Sequence, residues 1–389
     1  MDFRLGDDSA AFRAEVRTFL AEHLTPEIRE RAHRTGTHHD WEFHRRLAER
    51  GWLNAHWPKA EGGQGRGPLE MMAFHEELAL TGAPVDGLGI TMLVADVIRA
   101  VGASEQKDRI LPTVLAGDCL FCLGYTEPDA GSDVAAVVTR ARRDGDEWII
   151  NGQKMFTTLA HEANYVFLLT RTTNDGPKHR GLTMFLVPMT LPGIDIQPVH
   201  TMGGERTNIT FYTDVRVPDW LRVGAVDGGW DIMRIALAFE RGGAMGTELG
   251  RHLRLAVDWS RTPAGPDGGC PCDDPEVRAT LARVAIRAEV GRLLNLRTIW
   301  DSANHGVPSP VFGSMAKLYL TEALVASVSE LLDRLGSAGV LQNGDPDAPA
   351  DGWLEAAFRH VPVTTIYGGT SEVQRSIIAE QGLGLPRTR

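Results

Sequence analysis

Near the start of the chain, Phe12, Val16, Phe19 and Leu20 fall on one helical stripe, with Asp8 or Ser9 placed as N-cap. WEFHRRLAERGW (41–52) continues the helical pattern and ends in the loop HWPKAEGGQGRGP. LEMMAFHEELAL (69–80) resumes it until Gly82 and Pro84. These segments predict an N-terminal helical domain over residues 1–118.

The pattern then changes. TRARRDGDEWIINGQKMFTT (139–158) sets Asp144-Gly145 and Asn151-Gly152 as turn signals between short runs containing Val, Trp, Ile and Phe, and YVFLLT, TMFLVP and ITFYTDVRVP continue in that style. An antiparallel β unit is predicted over residues 119–225. After Gly229 long helical patterns return: Asp274-Pro275 caps and opens a segment with Val277, Leu281, Val284 and Ala288 at helical spacing, and Ser314 to Leu335 forms another, closed by Gly336. Residues 226–389 are expected to pack as a helical bundle, giving an α+β multidomain protein.

With 389 residues and 43% hydrophobic content the chain can bury a large core. A formal charge of -11 argues against nucleic acid as a partner. Cys119, Cys122, Cys270 and Cys272 are too few and too clustered for a secreted disulfide framework, and a strand spacing that points Cys119 and Cys122 to opposite faces argues against a zinc site. With the charged N-terminal stretch and no run near the roughly 20 apolar residues of a bilayer span, these features predict a cytoplasmic protein with no membrane partner and no metal. GxGxxG after a strand, GxxxxGK[ST], GxSxG and HExxH do not occur. His38 and His39 read as surface-loop residues.

Five stretches stand out along the chain: the WPKAEGG loop (57–63), GYTEPDAGSDV (124–134), NGQKMFTT (151–158), VRVP (215–218) and the terminal IYGGTSEVQRSIIAE (366–380). In this order they resemble the signatures of the acyl-CoA dehydrogenase family across almost the whole chain. The resemblance implies an N-terminal helical domain, a middle antiparallel β-barrel and a C-terminal four-helix bundle that together hold FAD. It also places Leu123, Tyr125, Thr126, Ser132, Phe156, Thr157, Thr158, Thr370 and Glu372 around the cofactor. Phe156 would pack on the flavin, Thr126 and Thr158 would bond its edge, and Thr370 and Glu372 would meet its other end. Ser132 would face the CoA pantetheine, and Arg241, Tyr367 and Gly369 would join it in binding substrate.

Removing a proton beside a thioester while hydride leaves the β-carbon requires a carboxylate in a dry pocket. Most relatives carry that Glu directly after the tyrosine of the terminal motif, where this chain has Gly368. A minority carry it on the long helix opening the last domain, and Phe239-Glu240-Arg241 occupies that place, with Ala236, Leu237, Gly243 and Ala244 as small apolar neighbours. Glu240 is therefore the expected base. Gly368 keeps a backbone N–H for the thioester oxygen and leaves room for branched or ring-bearing acyl groups. Relatives also usually carry an Arg and Phe-Gly after this helix, where SRTPAGPDGG stands and Pro263 would end the helix early. Gly-Gly with the DPEVR segment resembles members built from two unlike chains.

The expected function is FAD-dependent α,β-dehydrogenation of an acyl-CoA or acyl-carrier-protein thioester, with an electron-transfer flavoprotein as acceptor, in a homo-oligomer or a heterotetramer with a related subunit. The alternatives are a flavin-dependent monooxygenase on the same fold and a structural subunit that completes its partner's site.

Overall fold

The computed structural model describes residues 6–241, 247–263, 268–305 and 309–387, with the side chains of residues 238–241 outside that description. Six helices come first: α1 (Gly6–His23), α2 (Pro26–Thr35), α3 (Trp41–Glu49), α4 (Pro68–Thr81), α5 (Asp86–Val101) and α6 (Ser104–Leu115). The Phe12, Val16, Phe19 and Leu20 stripe is buried. It packs with Trp52 and Phe74, the Phe19 and Trp52 rings 4.9 Å apart. Because α1 already runs at Gly6, Asp8 and Ser9 stand inside its first turn instead of capping it, where Asp7 and Asp8 face the positive end of the helix dipole. Asp40 caps α3 by accepting from the Phe43 N–H at 2.9 Å. Gly82, at φ +66°, ends α4 as expected.

His39 departs from the surface-loop expectation. It forms an antiparallel bridge with Val85 and is buried, its ring 4.9 Å from that of His44. Burial first, and then His44, push its imidazole down to about 3. Loop composition alone did not reveal that residues 38–40 are covered by the start of α5.

The middle unit contains β1 (Phe121–Gly124), β2 (Arg140–Asp144), β3 (Glu147–Lys154), β4 (Tyr165–Arg171), β5 (Leu182–Pro188), β6 (Ile194–His200), β7 (Arg206–Pro218) and β8 (Arg222–Val223). The strand order is β6-β7-β3-β2-β4-β5-β8, with β1 on β4. Most pairings are antiparallel as expected, but β1/β4 and β2/β4 are parallel, so the sheet is mixed. Gly145 turns β2 into β3. Asn151-Gly152 is not a turn: it is a bulge within β3, where the register against β7 shifts. Asn151 holds the bulge by accepting from the Asp214 N–H and donating to the Asp214 carboxylate, each at 2.9 Å.

The chain closes with α7 (Gly229–Arg241), α8 (Glu248–Ser260), α9 (Pro275–His305), α10 (Pro310–Leu335), α11 (Trp353–Thr364) and α12 (Ser371–Ile377). Leu249, Val284, Leu324, Val328, Leu354 and Val361 form the shared core of α8 to α11. Asp274 accepts from the Glu276 N–H at 2.8 Å as α9 starts at Pro275. Segment Pro310–Val340 is long and apolar enough to cross a bilayer by length and composition, contrary to the sequence reading. Its buried residues, Leu320, Leu324, Val328 and Leu331 among them, pack inside the bundle as in a core helix.

The three units meet through backbone and charge. Gln106 Nε2 donates to the carbonyls of Trp220 and Arg222 at 2.8 and 2.9 Å. The Arg206 N–H donates to the Gly36 carbonyl at 2.8 Å, and Arg359 Nη1 to the Met202 carbonyl at 2.8 Å. His360 Nδ1 lies 2.5 Å from Glu205 Oε1.

Candidate active site

The segments 124–134 and 151–158 are fastened together by a buried ion pair. Lys154 Nζ donates to Glu127 Oε1 at 2.8 Å and to the Tyr125 carbonyl at 3.2 Å. Glu127 also accepts from the backbone N–H groups of Val138 and Thr139, at 2.7 and 2.9 Å. Burial alone would raise the Glu127 carboxyl, but Lys154 and these donors overcome it and hold the group below its ordinary range. Burial pulls the Lys154 ammonium down to about 8 against the pull of Glu127. The Met155 N–H then donates to the Thr126 carbonyl at 2.8 Å, fixing Thr126 beside the turn that follows β3. Leu123 lies on β1 against Phe167 of β4, and the Tyr125 ring packs edge-on to Phe167 at 6.1 Å.

That turn presents Phe156. Its backbone sits at φ +57°, a left-handed conformation rare for an aromatic residue, and its side chain is 57% exposed. The surrounding contacts impose it. The Thr157 N–H donates to the Asn208 carbonyl at 2.9 Å while Asn208 Nδ2 returns a bond to the Thr157 carbonyl at 3.0 Å. The Thr157 hydroxyl is buried against Thr210 at 3.3 Å, so its side chain faces the sheet interior. Thr158 is half-buried, its hydroxyl 3.1 Å from that of Thr207. An apolar ring flanked by a hydroxyl is thus held at the surface of the β unit.

The terminal motif forms a second exposed turn. Gly368 and Gly369 take φ +64° and +87°, a path open to glycine. Lys317 Nζ donates to the Gly369 carbonyl at 2.7 Å, and Gln374 Nε2 to the carbonyls of Gly368 and Gly369 at 3.0 and 3.1 Å. Thr370 caps α12, its hydroxyl accepting from the Val373 N–H at 3.2 Å, and Glu372 is exposed in the first turn. Tyr367 is 48% exposed, yet burial is the first cause pushing its hydroxyl up, followed by the charges of Glu248, Asp86 and Glu205. Asp86 shows the same combination, exposed and raised chiefly by burial.

Ser132 is exposed in the loop before Val134, next to Asp133, which pairs with Lys178. Glu240 and Arg241 end α7, and their side chains lie outside the described residues, as do Gly243 and Ala244. Ala236, one turn before Glu240, is buried. Sequence reasoning missed Lys154 and Lys317 as groups that position the two turns. Lys154 and Glu127 stood within the quoted motifs, but their pairing is long-range and left no local signal.

Three family models match the chain in order: the acyl-CoA dehydrogenase N-terminal domain over residues 6–118, its middle domain over 122–215 and its C-terminal domain over 227–383. The chain belongs to the acyl-CoA dehydrogenase family. Among similar proteins, acyl-CoA dehydrogenase FadE26 of Mycobacterium tuberculosis (strain ATCC 25618 / H37Rv) is 39% identical over 386 residues, 96% of each chain. A chain of the ChsE4-ChsE5 complex from Mycobacterium tuberculosis superposes with a TM-score of 0.91 at 39% identity, covering 100% of both chains. A chain of the Tcur3481-Tcur3483 steroid ACAD gives 0.91 at 36% identity, again covering 100% of both. The α+β architecture is that of acyl-CoA dehydrogenases, and membership implies FAD as cofactor.

Proposed function

We propose that this acyl-CoA dehydrogenase family member oxidises a bulky, ring-bearing acyl-CoA thioester between its α- and β-carbons, working with a related subunit. The observation that carries the reading is the pair of exposed turns, Phe156–Thr158 and Tyr367–Thr370, held by the buried Glu127–Lys154 pair and by Lys317. A flavin fits these residues: Phe156 offers an uncovered apolar ring, Thr126 and Thr158 stand beside it, and Gly368-Gly369 leaves no side chain in the way. When bound, FAD supplies the two-electron oxidant that takes hydride from the β-carbon.

The chain's own groups do the rest. Glu240 takes the α-proton as general base. The Gly368 N–H donates to the thioester oxygen as negative charge develops there. Phe156 walls the cofactor, Leu123, Tyr125, Thr126 and Thr158 shape its edge, Thr157 anchors the Phe156 turn from the sheet interior, and Thr370 and Glu372 serve its other end. Ser132, Arg241, Tyr367 and Gly369 contact the CoA ester. An acyl-carrier-protein thioester would use the same groups, and an electron-transfer flavoprotein is the proposed acceptor.

Ring-bearing substrates are favoured because Gly368 removes a side chain beside the β-carbon and because one similar structure is named a steroid ACAD. The ChsE4-ChsE5 complex supports a related-subunit partner. Anaerobic titration of the flavin-loaded protein with straight, branched and ring-bearing acyl-CoAs tests the reading. Bleaching by ring-bearing thioesters is expected. Failure of every thioester to bleach the flavin, together with rapid oxygen consumption once a flavin reductase is supplied, would replace it with the monooxygenase reading.

A further inference from the structure

Where α1, α2, α4 and α8 meet, a cavity of about 420 Å³ is lined by Arg17, Arg29 and Arg254, with Glu77 and Thr81 between them. Its single carboxylate is already neutralised: Glu77 accepts from Arg13 Nη1 and from Arg17 Nε, each at 2.9 Å. The Thr81 hydroxyl is turned back on its own helix, donating to the carbonyls of Glu77 and Leu78 at 2.9 and 3.0 Å. Among the described residues Arg29 and Arg254 have no such partner. Arg29 Nε is buried without a hydrogen-bond partner, and neither residue makes an ion pair among the described residues.

A third cation crowds them. Arg251, one turn before Arg254, stacks on Trp353 at 4.4 Å, and burial together with Arg29 pushes its guanidinium down to about 10. In a chain of net charge -11, guanidinium groups gathered around a cavity with no free carboxylate stand out against the overall charge. Like charges brought together in this way repel, and a bound anion relieves the repulsion. Guanidinium forks match oxyanions, and forks reaching in from separate helices suit the tetrahedral oxygens of a phosphate better than a planar carboxylate, which one fork saturates. The volume lies within the range of about 300–1,000 Å³ usual for small-molecule pockets.

We propose that this cavity binds a phosphate-type oxyanion between Arg29 and Arg254, as a site separate from the Phe156 and Tyr367 turns. Free inorganic phosphates and the diphosphate of a nucleotide share this chemistry, so inorganic pyrophosphate and ADP are the two probes. Isothermal titration of each into flavin-loaded protein is compared with sodium chloride at equal ionic strength. Saturable binding of at least one probe is expected, weakened at least tenfold in R254Q and R29Q, with flavin content and turnover unchanged in R254Q. Arg254 is exposed, so R254Q keeps the test valid should R29Q fail to fold. Whichever probe binds in the Arg254-dependent way identifies the source. Binding no better than chloride, or equal binding by R254Q and wild type, would overturn the proposal.

Discussion

Lys154 Nζ lies 2.8 Å from Glu127 Oε1 with both side chains buried, at 0% and 5% exposure, and this contact joins the two motif segments that frame the site. Removing one partner of a buried pair leaves an uncompensated charge, at a cost of about 3–5 kcal/mol. Lys154→Met is expected to lower unfolding stability by that order in urea titrations and to release flavin faster. The double variant K154M/E127L, which removes both charges, should recover part of the stability.

Phe156 sits at φ +57°, which costs a non-glycine residue about 1 kcal/mol or more. Phe156→Gly should therefore leave the flavin-free protein as stable as wild type or more so, while weakening flavin retention. Thermal melting with and without added FAD separates the two effects. Phe156→Trp, which restores an aromatic wall, should retain flavin.

Gly152 takes φ +147°, and a Cβ built there would lie 2.6 Å from Thr139 Oγ1 and 2.7 Å from Thr139 Cα. Backbone cannot yield as a flexible side chain does. Gly152→Ala should destabilise the protein by about 2 kcal/mol or more, in the range of overpacking combined with backbone strain. The urea midpoint reads it directly.

The His360–Glu205 pair links α11 to the loop between β6 and β7, and its pH dependence has a defined sign. Burial alone would raise Glu205, but His360 and Thr201 hold it down to about 2, so its contribution is present above the ordinary value of 4.5 and is lost as pH falls toward 2. Burial would lower His360, but Glu205 and neighbouring acids raise it above its ordinary 6.5. Its contribution is complete below 6.5 and is lost as pH rises through the raised value. The Tm difference between wild type and His360→Gln should peak between about pH 4.5 and 6.5 and shrink on both sides.

Local signals carried much of the architecture into the sequence. The Phe12 to Leu20 stripe, Gly82 after α4 and Asp274-Pro275 before α9 each act over one or two helical turns, so spacing alone exposes them. Where distant segments decide, reading failed. Asn151-Gly152 has turn chemistry, but Asp214, far along the chain, pairs with Asn151 and keeps the residues inside a strand. His39 reads as polar loop until Val85 covers it. The site was legible as motifs and not as geometry: the quoted segments contain Glu127 and Lys154, yet nothing in their spacing shows that one buries its charge against the other.

The central claim is that Glu240 supplies the base that Gly368 cannot. Its direct measurement is the rate of anaerobic flavin bleaching by a ring-bearing acyl-CoA in Glu240→Gln, with flavin content and thioester binding measured on the same sample. Loss of a general base predicts bleaching slowed by about 10²–10⁴-fold, with flavin and thioester still bound. Bleaching at the wild-type rate would contradict the account.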